Sequence, residues 1–161
     1  MTLRHVYFYT YLERPFAAAR DVLAGDPRRW LPEPAEPREG GFEVSLDAGR
    51  TLPDRLARRH AVVFPAGSLD DAHGISAVRG LRWQAVERED WFPVLDGDLE
   101  LTDLGEGTCQ LALVGTYRPP LSVVGSTADR LVGHRIAEAV VRAFVLAVAD
   151  RLQHADVTPA T

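Results

Sequence analysis

DRLVGHRIAEAVVRAFVLAVADRL, residues 129 to 152, is the stretch on which the fold turns. Val132, Ile136, Ala139, Val140, Ala143, Phe144 and Ala147 recur at helical spacing and form one broad apolar face. Arg130, His134, Glu138 and Arg142 form the opposite stripe, and Glu138 precedes Arg142 by four residues, the favourable order for a surface ion pair. The spacing predicts a helix from about Thr127 to Gln153, with His134 and Glu138 exposed. An apolar face of that size has to be covered by another layer of structure, so the rest of the chain must supply one.

It supplies strands. Leu3 to Leu12 alternates, with Val6, Phe8, Thr10 and Leu12 on one face and His5, Tyr7, Tyr9 and Tyr11 on the other. Pro15, then Phe16, Ala19, Val22 and Leu23 at helical spacing, predict a short helix that Gly25 ends, and Asp26 is placed to cap a second turn at DPRRW. Pro32, Pro34 and Pro37 make Leu31 to Gly41 an exposed, irregular connection. Phe42 to Leu46 and Arg59 to Phe64 read as short strands, and Gly67 to Gly74 as a turn. Ser76 to Val86, Trp91 to Leu101 and Thr108 to Tyr117 then read as three consecutive antiparallel strands, the last two around the turn DLGEG at Asp103 to Gly107. The fold class predicted is α+β: a curved antiparallel sheet of about six to seven strands around a long C-terminal helix, with two short helices after the first strand.

Totals narrow the function. The chain has 161 residues, 46% hydrophobic and 25% charged, which fits one globular domain over 1–154 with 155–161 as a tail. All 18 basic residues are Arg; set against 23 acidic ones they give a net charge of −5, which disfavours nucleic acid. Cys109 stands alone, so no disulfide or cysteine zinc cluster is expected. Met1 to Leu12 lacks an uninterrupted apolar h-region, and Ala139 to Ala149 is too short to span a bilayer and contains Arg142. A cytoplasmic protein without cofactor, metal or membrane span is the expectation, with a homodimer left open.

A twisted sheet touches a straight helix along part of its length, so space remains unless large side chains fill it. Ala137, Ala139, Ala143 and Ala147 leave room on the helix, while Trp83, Phe92, Tyr117 and Phe144 are bulky enough to wall a cavity.

Four stretches together resemble the START-like, Bet v 1-like (SRPBCC) superfamily, which includes polyketide cyclases and lipid-transfer proteins. They are VYFYTYLERPFAAARDVL, GDPRRWLP, the run from Gly80 to Pro120 and the final helix. Order and spacing carry the resemblance across nearly the whole chain. It implies a helix-grip fold around an apolar pocket and no particular reaction. The proline-rich Leu31 to Gly41 departs from the pattern, at the mouth of the implied pocket.

Candidate site residues carry two readings each. Asp129 is either the closing residue of a capping box with Ser126 or an inward general base. Arg79 shares strand parity with Leu81 and Trp83 and would pair with a ligand carboxylate if inward, yet Gly80 permits a bulge that returns it to solvent. Tyr117 either orients a ligand or donates a proton, or is a core tyrosine with a bonded tip. Pro119 and Pro120 stiffen a corner or a lid. His5, His60, His73, His134 and His154 read as lacking carboxylate partners at i, i+4, and no hydrolase or nucleotide fingerprint occurs.

The binding set expected is Arg79, Trp83, Phe92, Leu111, Leu113, Tyr117, Ile136, Val140 and Phe144. Its ligand is a hydrophobic or aromatic small molecule. Two alternatives stand beside it: a cyclase or dehydratase-like enzyme using the same pocket, and an interaction module with a filled core and an exposed tyrosine face.

Overall fold

The computed structural model describes residues 3–47, 58–86, 94–118 and 127–156, with side chains in the last segment from His134 onward. β1 (Arg4–Leu12) alternates as the sequence predicts: Val6 and Leu12 are buried while His5, Tyr7, Tyr9 and Tyr11 face water. α1 (Phe16–Ala24) follows Pro15 and buries Phe16, Ala19, Val22 and Leu23. Gly25 closes it, its N–H donating to the Val22 carbonyl at 3.1 Å.

Asp26 then accepts the Arg28 amide at 2.9 Å. The second short helix expected here is instead a single 3-10 turn, Pro27–Arg29, because Pro32 halts any continuation.

The remaining elements are β2 (Glu36–Arg38), β3 (Gly41–Asp47), β4 (Arg58–Pro65), β5 (Asp70–Ala72), β6 (Ser76–Ala85), β7 (Val94–Gly105), β8 (Thr108–Arg118) and α2 (Thr127–His154). They make one 8-stranded antiparallel sheet in the order β1-β8-β7-β6-β4-β3-β2, with β5 beside β6. The sheet has eight strands where six to seven are expected, because it includes two short strands that the sequence reads as loop. β2 lies inside the proline-rich connection, where an exposed edge tolerates Pro37 because only one side of the strand is paired. β5 lies inside the Gly67–Gly74 turn, which reverses through left-handed backbone at His73 (φ 58) and Gly74 (φ 73).

Gly97 and Gly115 are partners across the β7–β8 ladder. A Cβ on Gly97 would lie 2.8 Å from the Val114 carbonyl oxygen, and one on Gly115 2.8 Å from that of Asp96. Backbone cannot yield as a side-chain tip can, so only glycine allows the two strands to approach this closely in the curved sheet.

α2 lies along β1 and reaches β8 and β3. It buries Ile136, Val140 and Phe144 as predicted, but also Ala137, Val141, Val145, Val148, Ala149 and Leu152. Ala139, Ala143 and Ala147, predicted for the covered face, are half-buried. The covered stripe is wider than the periodicity indicates, because a curved sheet wraps both flanks of a helix. Among the described residues no helix is long and apolar enough to cross a membrane.

Candidate binding site

The concave face of the sheet buries Leu81, Trp83, Leu95, Leu99, Leu111 and Leu113 beneath α1 and α2. Strand parity sets this arrangement: Ala77, Arg79, Leu81 and Trp83 alternate with outward Val78, Gly80 and Arg82 along β6. Trp83 meets Phe144 edge to face with ring centroids 5.0 Å apart. Trp83, Leu111, Leu113, Tyr117, Ile136, Val140 and Phe144 each have 0% of their surface open to water. These side chains, expected to wall a cavity, therefore pack against their surroundings with no water-sized space beside them. Phe92, Pro119, Pro120, Ser126 and the side chain of Asp129, with the capping box drawn from the last two, lie outside the described residues.

Arg79 is 4% exposed and points inward. Its NH1 donates to the Leu23 carbonyl at 2.6 Å and the Gly25 carbonyl at 2.9 Å, and its Nε to the Ala66 carbonyl at 3.0 Å. Leu23 is among the last carbonyls of α1, which have no acceptor role inside the helix, and a cation there also matches the negative end of the helix dipole. The guanidinium lies over the Trp30 ring at 5.2 Å. Burial pulls its pKa below the ordinary arginine value, with Asp26 opposing. These donors serve the main chain, which the sequence reading of a ligand anchor did not foresee.

Tyr117 and α2 form a second polar cluster. The Tyr117 hydroxyl lies 2.7 Å from His134 Nδ1, and His134 Nε2 lies 3.0 Å from Glu138 Oε1. One proton arrangement satisfies all three groups: Tyr117 donates to Nδ1, and Nε2 carries the proton donated to Glu138. Arg4 is the β1 partner of Tyr117 across the ladder. Burial pushes the Tyr117 pKa upward, opposed by Arg4, so the hydroxyl stays protonated at neutral pH.

Two expectations change here. His134 is only 38% exposed in its side chain, and Glu138 pairs with it, while Arg142 lies over the Phe8 ring at 5.9 Å. Two of the five histidines do have carboxylate partners four residues away: His134 with Glu138, and His154 with Asp150 at 3.2 Å. Both spacings are visible in the sequence, but assigning Glu138 to Arg142 hid the first. Among the described residues no group of three His, Cys, Asp or Glu side chains could hold a metal ion.

The seam between β3 and α2 is open. A cleft of about 330 Å³ is lined by Pro32, Leu46, Ala143 and Ala147, with Ser45, Glu33, Asp150 and Arg151 around it. Arg151 holds the rim by pairing with Glu33 and donating from NH2 to the Arg28 carbonyl at 2.6 Å, which ties the turn after α1 to α2. A more polar depression of about 480 Å³ adjoins it and shares Glu33, Asp150 and Arg151. The signal for this cleft in the sequence is the pair of alanines four apart, Ala143 and Ala147, but nothing local names Pro32 or Leu46 as the opposite wall.

No family model matches the chain, and no curated protein matches it. Solved structures do. A conserved protein from Geobacillus kaustophilus aligns at TM-score 0.54 and 12% identity over 92% of this chain and 95% of that one. Norcoclaurine synthase from Thalictrum flavum aligns at TM-score 0.45 and 9% identity over 86% and 87%. Ara h 8.0201 aligns at TM-score 0.43 and 9% identity over 94% and 98%. At such identities a likeness concerns fold and leaves activity open. With its curved antiparallel sheet, helix after β1 and long C-terminal helix, the chain has an α+β helix-grip fold, similar to that of the Geobacillus kaustophilus protein.

Proposed function

We propose that the chain binds a hydrophobic or aromatic small molecule at the seam between sheet and α2, entered beside Ala143 and Ala147. The observation that carries this reading is the 330 Å³ cleft between β3 and α2. Small-molecule sites span about 300–1,000 Å³ and combine an apolar lining with a few polar groups, which is the composition of this cleft. One ring or a short chain fits it. A larger ligand reaches deeper by parting Phe144 from Trp83, and Leu111, Leu113, Tyr117, Ile136 and Val140 are then the walls it meets. Arg79 is not assigned to the ligand, because its donors are engaged by carbonyls.

The test is titration with an apolar fluorophore against wild type and Ala147→Leu. Leucine keeps the helix and fills the cleft, so affinity should fall about tenfold, equivalent to about 1.4 kcal/mol. Unchanged affinity in a folded Ala147→Leu protein removes the cleft from this reading.

The Tyr117–His134–Glu138 chain favours a second reading, a cyclase- or dehydratase-like enzyme. A neutral phenol backed by an imidazole and a half-exposed carboxylate is suited to donate a proton and recover it from solvent. Product formation from a polyketide-like substrate, lost in Tyr117→Phe while fluorophore binding persists, would separate the two.

A further inference from the structure

The sheet's other face, turned away from α2, is organised independently of the cleft. Its outward residues form columns along the strands. β1 contributes Tyr7, Tyr9 and Tyr11, which are 56%, 45% and 59% exposed. Their rings form a continuous ladder with centroids 5.7 and 5.6 Å apart. β8 contributes Ala112, Val114 and Thr116, and β7 contributes Asp96, Asp98 and Glu100. The pairing runs Tyr9 to Ala112 to Glu100 and Tyr7 to Val114 to Asp98, so each row starts at a tyrosine and ends at a carboxylate. Ala112 faces outward yet is only 3% exposed, which requires its flanking neighbours to close over it. From β8 across β7 and β6 to β4 the face holds a shallow groove of about 590 Å³, lined by Val114 and Thr116, by Asp96 and Asp98, by Arg82 and by Phe64.

Charge on this face is unbalanced. Arg82 approaches Asp96 at 3.8 Å with both side chains more than half exposed, a pair that contributes little. Asp98 and Glu100 have no ion-pair partner among the described residues. Exposed tyrosine rings attract cations through their faces, and carboxylates attract them directly, so both columns select the same charge. A row of exposed aromatics is also the kind of surface that marks an interaction site.

From this charge complementarity we propose that the outer sheet face is a docking surface for an extended basic segment of a partner protein, with Arg or Lys at alternate positions. Along a strand, outward residues repeat every two positions, about 6.6–6.8 Å. An extended segment lying along β7 has the same repeat. Its sheet-facing basic side chains meet Asp98 and Glu100 in register, and the longest of them reach across β8 toward the rings of Tyr7 and Tyr9. Phosphate-bearing partners are repelled by the same carboxylates.

The experiment uses the full chain and two fluorescent peptides of identical composition, one alternating Arg and Thr and one with Arg and Thr in separate blocks, with spermidine as a small polycation. The alternating peptide should bind about fivefold tighter than the block peptide and spermidine, and raising salt should weaken it severalfold. Asp98→Asn with Glu100→Gln should weaken it about fivefold, as should Tyr9→Leu, whereas Glu39→Gln with Glu106→Gln, the same charge change away from the face, should not. Far-UV circular dichroism checks that each variant is folded. Equal binding of the two peptides, spermidine binding as tightly, or equal loss in the two double variants would each overturn the proposal. The first and third would reduce the effect to attraction by net charge.

Discussion

Replacing Arg79 by Met deletes three donors that serve carbonyls of α1, Gly25 and Ala66, while keeping much of the side chain's volume over Trp30. Hydrogen bonds to a charged group contribute about 1.5–3 kcal/mol each, and a buried acceptor left bare costs about 1–3 kcal/mol. Against this stands the relief of no longer burying a guanidinium, an effect visible in its lowered pKa. The balance is a loss of about 3 kcal/mol, or roughly 6–12 °C in Tm for a chain of this size. Arg79→Lys keeps the charge but cannot span donors to three separate carbonyls, so it should cost about half as much. Urea unfolding followed by tryptophan fluorescence measures both. Were Arg79 instead a ligand anchor facing a cavity, removing its buried charge would leave stability unchanged or improved. An Arg79→Met protein within about 0.5 kcal/mol of wild type would therefore refute the helix-capping role.

Tyr117→Phe should cost about 1–2 kcal/mol in the same assay, because it leaves His134 Nδ1 without its partner in a half-buried position; a variant as stable as wild type would show that the bond contributes nothing. Gly97→Ala and Gly115→Ala should each destabilise by about 1–3 kcal/mol through collision with backbone oxygens, and a neutral effect would mean the strands part easily. Burial pushes the Cys109 thiol from 9.0 up to about 11, so the folded state holds a proton that the unfolded state releases. Stability from this group is thus complete below pH 9 and is lost as pH rises toward about 11, and Cys109→Ala should flatten that part of a stability profile. Thiol reagents should likewise react with Cys109 only on unfolding, as rapid labelling of native protein would disprove.

What the sequence determined by itself was whatever depends on neighbours a few positions apart. Period-two alternation placed Val6 and Leu12 inside and Tyr7, Tyr9 and Tyr11 outside, period 3.6 placed Ile136, Val140 and Phe144 against the sheet, and Asp26 announced its own turn. Two short strands escaped because three residues are too few to show a period, and Pro37 and Asp70–Ala72 look like loop unless a partner strand is already in place. Arg79 was placed correctly on a face by its parity, yet only the tertiary structure decided that its donors meet Leu23 and Gly25, more than fifty positions away. The same holds for Tyr117 with His134, and for the cleft that joins Ala143 and Ala147 to Leu46 and Pro32. Periodicity says which way a side chain points relative to its own element, whereas its partner depends on how curved layers are brought together, and that is settled by packing the whole chain at once.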